Sequence, residues 1–189
     1  MAPKGSIVIT GANGGLGSST VDQILHQSQL AKDYYGIYTV RKVETADAVK
    51  KVLKRAASAQ HGHELLALDL ASLASTRQAA ESINKRVARG ELPPIRALIL
   101  NAGYQELSSQ TFTNDGFDMS FQANFLSHFL LTLLLLQSMD KENGRIVVVG
   151  SWTHEYGTPP KWWLNDTSYC WSLLADPSLF IVPRMLETS

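Results

Sequence analysis

Thr10-Gly11-Ala12-Asn13-Gly14-Gly15-Leu16-Gly17 decides how this chain is read. It follows Ser6-Ile7-Val8-Ile9-Thr10, a β-branched run with the character of a buried strand. It opens a stretch, from Gly17 to about Leu30, where Leu16, Val21, Ile24 and Leu25 recur at helical spacing. At such a strand-to-helix junction, Gly11 permits a tight turn and Gly15 lets backbone approach a pyrophosphate. Gly17 permits close helix–strand contact, and the helix N-terminus adds N–H groups and a positive dipole end. A plain glycine turn is the alternative; the flanking strand and helix favour a dinucleotide.

The pattern continues outward. Tyr35–Val40 reads as a second strand, Ala46–Ala59 as a helix and Leu65–Leu70 as a third strand. Ser75–Arg89 reads as a helix with Ala79, Ala80, Ile83 and Val87 inward; Ile95–Leu100 is a fourth strand after Pro93-Pro94. Gly116–Met139 is a helix apolar most of the way round, expected to be buried on several sides, and Arg145–Gly150 is a fifth strand. Strands alternating with helices imply right-handed crossovers, a parallel sheet and helices on both faces. The α/β pattern stops at Ser151. All four tryptophans and four of the seven prolines follow it, so residues 1–151 are expected to form one domain and 152–189 a divergent Trp/Pro-rich tail.

Composition narrows the function. The 189 residues are 44% hydrophobic and 18% charged, enough for a core and unlike a disordered chain. Seventeen basic residues balance seventeen acidic ones, which gives no electrostatic footprint for nucleic acid or anionic membrane. One cysteine, Cys170, and no signal-peptide pattern at the start suggest a cytoplasmic protein. The greasiest run, Phe125–Leu136, is shorter than the roughly 18 residues of a membrane span, so a buried helix is expected. His61 and His63 lie on a polar segment and read as solvated rather than metal-binding; no metal site is expected.

The spacing TGxxxGxG resembles the short-chain dehydrogenase/reductase family, and four further motifs fall in that family's order. They are Leu68-Asp69-Leu70, Asn101-Ala102-Gly103, the stretch Thr113 to Thr132 around Asn124, and Arg145 to Ser151 with His154. The likeness covers residues 5 to 154 and is greatest to the retinol-dehydrogenase and protochlorophyllide-reductase-like branch. It implies a Rossmann-type doubly wound sheet with five recognisable strands and the later ones missing. It also implies a nicotinamide cofactor held by Gly11, Asn13, Gly15, Leu16, Gly17, Asp69, Leu70, Asn101, Ala102 and Gly103. At the end of strand two, Val40-Arg41-Lys42 offers no acid for a ribose hydroxyl. Arg41 offers a bidentate fork to a 2′-phosphate, so NADP(H) is favoured; a solvated Arg-Lys pair is the alternative.

In the family a serine and a tyrosine handle the substrate carbonyl, and a lysine one turn after the tyrosine lowers its pKa. Ser151 and Asn124 match two members of that set. Tyr156 and Lys161 are five apart with Pro159-Pro160 between them, so no helix aligns them. Tyr169 is better placed, but Leu173 stands where the lysine belongs. Two readings follow: an NADP(H)-dependent oxidoreductase acting on a small carbonyl or alcohol, within a small-molecule biosynthetic pathway, or an inactive NADP-binding remnant. Association with a second copy or a relative is implied by the family's use of the Asn124 helix.

Overall fold

The computed structural model describes residues 2–106 and 109–150. Ser151, Tyr169 and the Trp/Pro-rich tail lie outside the described residues. Five strands form one parallel sheet: β1 (Gly5–Ile9), β2 (Tyr34–Val40), β3 (His63–Ala67), β4 (Ile95–Leu100) and β5 (Arg145–Val148). Their order is β3-β2-β1-β4-β5. The chain winds outward from β1 in one direction and then, from β4, in the other. Between β1 and β4 the winding reverses, and a crevice opens at the strands' carboxyl ends.

Alternation along the strands divides the core. Ile7, Ile9, Tyr38 and Val40 join Val21, Ile24 and Leu25 of α1 (Gly15–His26) and Val49 and Leu53 of α3 (Asp47–Leu53) on one face. Val8, Ile37 and Leu98 join Ala79, Ala80 and Ile83 of α4 (Leu73–Ala88) and Leu131 and Leu135 of a long helix, Met119–Ser138, on the other. Both faces are covered by helices, as continuous apolar strands require.

Helix ends follow their caps. Ser72 begins α4 by accepting from the Ser75 N–H at 3.2 Å, two residues before the expected start. The first expected helix is two: it breaks at Gln27 and resumes as α2 (Ser28–Asp33). Strand β3 starts two residues before the expected Leu65, because Gly36 to Val40 of β2 pair in register with His63 to Ala67.

Two expectations are corrected. His61 is buried, not solvated: its Nε2 accepts from the Tyr38 hydroxyl at 2.7 Å and its Nδ1 donates to the Ala31 carbonyl at 2.8 Å. His63 stacks on the His61 ring, the planes 4° apart. The long helix is not buried on several sides either. Phe125, Phe129 and Leu133 are 58%, 51% and 50% exposed, because only one face meets the sheet and α4. It is also longer than its apolar run: at 20 residues and mean hydropathy 1.5 it could cross a membrane by length and composition. Its inward side chains nevertheless pack into the core already described.

Candidate functional site

The crevice at the switch in winding is a cleft of about 1000 Å³, at the upper end of the range for small-molecule sites. Gly11, Asn13, Gly15, Leu16 and Gly17 line it from the loop after β1, and Arg41 from the end of β2. Asp69 and Leu70 line it after β3, and Asn101, Ala102 and Gly103 after β4. The structure thus brings all eleven residues of the expected cofactor set to one cavity. Sequence reasoning missed Thr39, Lys42, Thr45, Tyr104, Met119 and Ala123, which also line it. Those positions carry no motif and reach the cleft through topology.

The glycines differ in what surrounds them. Gly11 has φ +67°, and a Cβ there would sit 2.8 Å from Ala102 Cα. A Cβ at Gly17 would press on the Gly11 carbonyl and come within 2.9 Å of both Ala12 Cα and Asn101 Nδ2. Both are required by the protein's own packing. Gly15 is different: nothing lies within 4 Å of its absent Cβ. That open position over the first turn of α1 is where a phosphate group fits against backbone N–H groups.

Several polar side chains shape the cleft. Asn13 Oδ1 accepts from the Val49 N–H at 3.2 Å and so caps α3, whose own N-cap residue Ala46 has no side-chain oxygen. Asp69 Oδ1 accepts from the Ala71 N–H at 3.0 Å, turning the chain toward α4. Among the described residues no ion pair forms to Arg41 or Lys42, which are exposed at the rim.

The loop after β4 is the most heavily tied wall. The Thr10 hydroxyl accepts from the N–H groups of Asn101 at 2.9 Å and Ala102 at 3.0 Å. It also lies 2.9 Å from His128 Nε2. Asn124 holds the Tyr104 backbone at both ends: its Nδ2 donates to the carbonyl at 2.8 Å and its Oδ1 accepts from the N–H at 2.7 Å. Both amide ends are therefore occupied by protein backbone. Asn124 sits in a π-helical turn, Gln122–Leu126, inside the long helix. Burial lowers the pKa of His128 below the ordinary imidazole value.

Residues 6–161 match the short chain dehydrogenase family. The chain is 62% identical over 160 residues to the short-chain dehydrogenase iccH of Talaromyces variabilis, covering 84% of this chain and 44% of that protein. It is 34% identical over 173 residues to the chloroplastic protochlorophyllide reductase of Daucus carota, covering 86% of this chain and 40% of that one. It spans less than half the length of either relative. Among solved structures, a metagenomic short-chain oxidoreductase in complex with NADP superposes with TM-score 0.62 at 20% identity, covering 84% of this chain and 66% of that chain. A short chain dehydrogenase from Burkholderia cenocepacia J2315, also in complex with NADP, gives 0.61 at 20% identity, covering 79% and 56%. These two show the fold; the match along residues 6–161 and the identity to the fungal relative show more, and the chain belongs to the short-chain dehydrogenase/reductase family.

Proposed function

We propose that the cleft binds NADP(H) and that the protein serves hydride transfer between this cofactor and a small carbonyl or alcohol substrate. The observation that carries the reading is the gathering of the eleven expected residues around one cavity, with room left at Gly15. Gly15 and Leu16 at the start of α1 would receive the pyrophosphate, Asp69 and Leu70 would flank the adenine, and Asn101 to Gly103 would border a ribose. Arg41 and Lys42 would meet a 2′-phosphate, Arg41 through two parallel N–H groups. A bound nicotinamide supplies the hydride. The protein's own part is to orient that ring and exclude water.

Ser151 would polarise the substrate carbonyl, and Tyr169 is the phenol placed to exchange its proton. Asn124 contributes by holding the Tyr104 backbone beside the cleft. A specific observation favours a second reading, an NADP-binding protein without turnover: no lysine stands one turn after either tyrosine beyond Ser151. The row of exposed phenyls on the long helix supports association with a second copy or a relative.

Calorimetric titration of the full chain with NADPH and NADH tests the cofactor. Tighter binding of NADPH, reversed or abolished in Arg41→Asp, supports the assignment; equal affinities would remove Arg41 from it. Carbonyl reduction at least about a hundredfold below that of a relative with an intact tyrosine–lysine pair supports the non-catalytic reading, since general acid catalysis supplies at least that factor. Comparable rates, lost in Tyr169→Phe, support the enzyme.

A further inference from the structure

The hydrogen bonds around Thr10 can be counted to completion. Its hydroxyl has two lone pairs and one proton. Both lone pairs are taken by the N–H groups of Asn101 and Ala102. The proton must therefore point to His128 Nε2 at 2.9 Å, the Ile99 carbonyl being more distant at 3.5 Å. His128 Nε2 is then an acceptor, and the ring proton belongs on Nδ1, which lies 3.2 Å from the Asn124 carbonyl. Every atom of the set has its partner only in this tautomer. A second proton on the ring would turn Nε2 into a donor facing a hydroxyl with no lone pair left.

We propose that His128 is a positioning residue for the cofactor cleft: as a neutral imidazole, and through Thr10, it fixes the Asn101–Gly103 wall. The inference rests on the cofactor reading above. One turn of the long helix thereby fastens the loop after β4 at both ends, His128 by way of Thr10 and Asn124 at Tyr104. Protonation of His128 releases the first fastening.

The elements packed against this turn carry few charges. They are Tyr104 on the loop, Arg96 on β4, and Arg77, Glu81 and Lys85 on α4. Arg96 pairs with Asp140 and Lys85 with Glu81. None of the five is a cause of the depressed His128 pKa, which comes from burial, partly offset by the Asn124 carbonyl. Acid therefore reaches the knot through His128 itself.

The test uses the full chain, wild type, His128→Gln and His128→Leu. Glutamine keeps a neutral acceptor that does not titrate; leucine removes it. At pH 7.5 His128→Leu should bind NADPH about two- to tenfold more weakly, the range one hydrogen bond supplies, and His128→Gln should restore the affinity. Between pH 7.5 and 5.5 the wild type should lose a similar factor relative to His128→Gln. The variant at each pH is the reference because the 2′-phosphate itself takes up a proton at about pH 6. The amide resonances of Asn101 and Ala102 should move with pH in the free wild type and stay still in His128→Gln. Parallel affinity curves for wild type and His128→Gln, or immobile amides in the wild type, would overturn the role of His128 and leave the cofactor reading standing. No dinucleotide binding at any pH would overturn the cofactor reading and the positioning role with it, whatever the amides do.

Discussion

The two halves of the sheet are closed in different ways. All of β1 and the last five residues of β2 are buried, under α1 and α3 on one side and α4 on the other. In β5, Ile146 and Val147 are half-buried and Val148 is 66% exposed. The long helix beside it turns Gln122, Ser127 and His128 inward and its phenyls outward. Ser127 donates to the Leu70 carbonyl at 2.6 Å, and Gln122 accepts from the Thr113 hydroxyl and donates to Asp115. The first half is held by apolar closure, whereas the second is held to it by hydrogen bonds into loops. The cleft lies on the seam, so its floor inherits one kind of stability and its wall the other.

The largest expected effect breaks the floor. Gly17→Val should cost about 3 kcal/mol or more in denaturant melts, since its side chain meets backbone that cannot yield. Gly15→Ala should stay within about 0.5 kcal/mol of wild type while weakening NADPH binding, because its Cβ enters open space. Equal destabilisation by both would mean that the loop does not distinguish packing from ligand.

Next comes a contrast across the seam. Leu131→Ala, at a fully buried position, should lose about 2–5 kcal/mol. Val148→Ala on the exposed β5 should lose no more than about 0.5 kcal/mol, and similar losses would erase the difference between the halves.

Each half also holds one buried imidazole, His61 and His128, and burial lowers both pKa values from the ordinary 6.5. Below that value the unfolded chain takes up protons that the native chain resists, so stability is full above about pH 6.5 and falls as the pH is lowered. Melting temperatures from pH 8 to 5 should show this decline, lessened in both His61→Gln and His128→Gln. A flat profile would place neither ring in the core. The smallest effect is expected on the phenyl row. Phe125→Ser with Phe129→Ser should leave denaturant stability within about 0.5 kcal/mol per site and reduce any self-association seen by size exclusion.

Much of this was legible in residue order. Ile95–Leu100 is apolar throughout because a parallel strand is covered on both faces, and the structure places β4 there. Gly11 and Gly17 are readable because their positions tolerate no Cβ. What could not be read were contacts between distant segments. His61 looked solvated because its partner Tyr38 lies 23 residues away, across a strand pair. Asn13 matched a cofactor motif, yet its carbonyl oxygen caps α3. The run Phe125–Leu136 carries no clear periodicity, so its wet face could not be told from its dry one. Only the loops that Gln122, Ser127 and His128 reach decide that.

The π-helical turn Gln122–Leu126 sets the rotational phase of everything after it. A π-turn carries one residue more than the α-helical count, and each α-helical residue advances about 100°. Deleting a single residue from this turn would restore the ordinary count and swing Ser127–Leu135 by about a quarter turn relative to Met119–Phe121. His128 would leave Thr10, and an outward side chain would be driven toward the sheet. Length at this turn is therefore guarded more strictly than identity: a one-residue indel should do more harm than most substitutions within the same five positions.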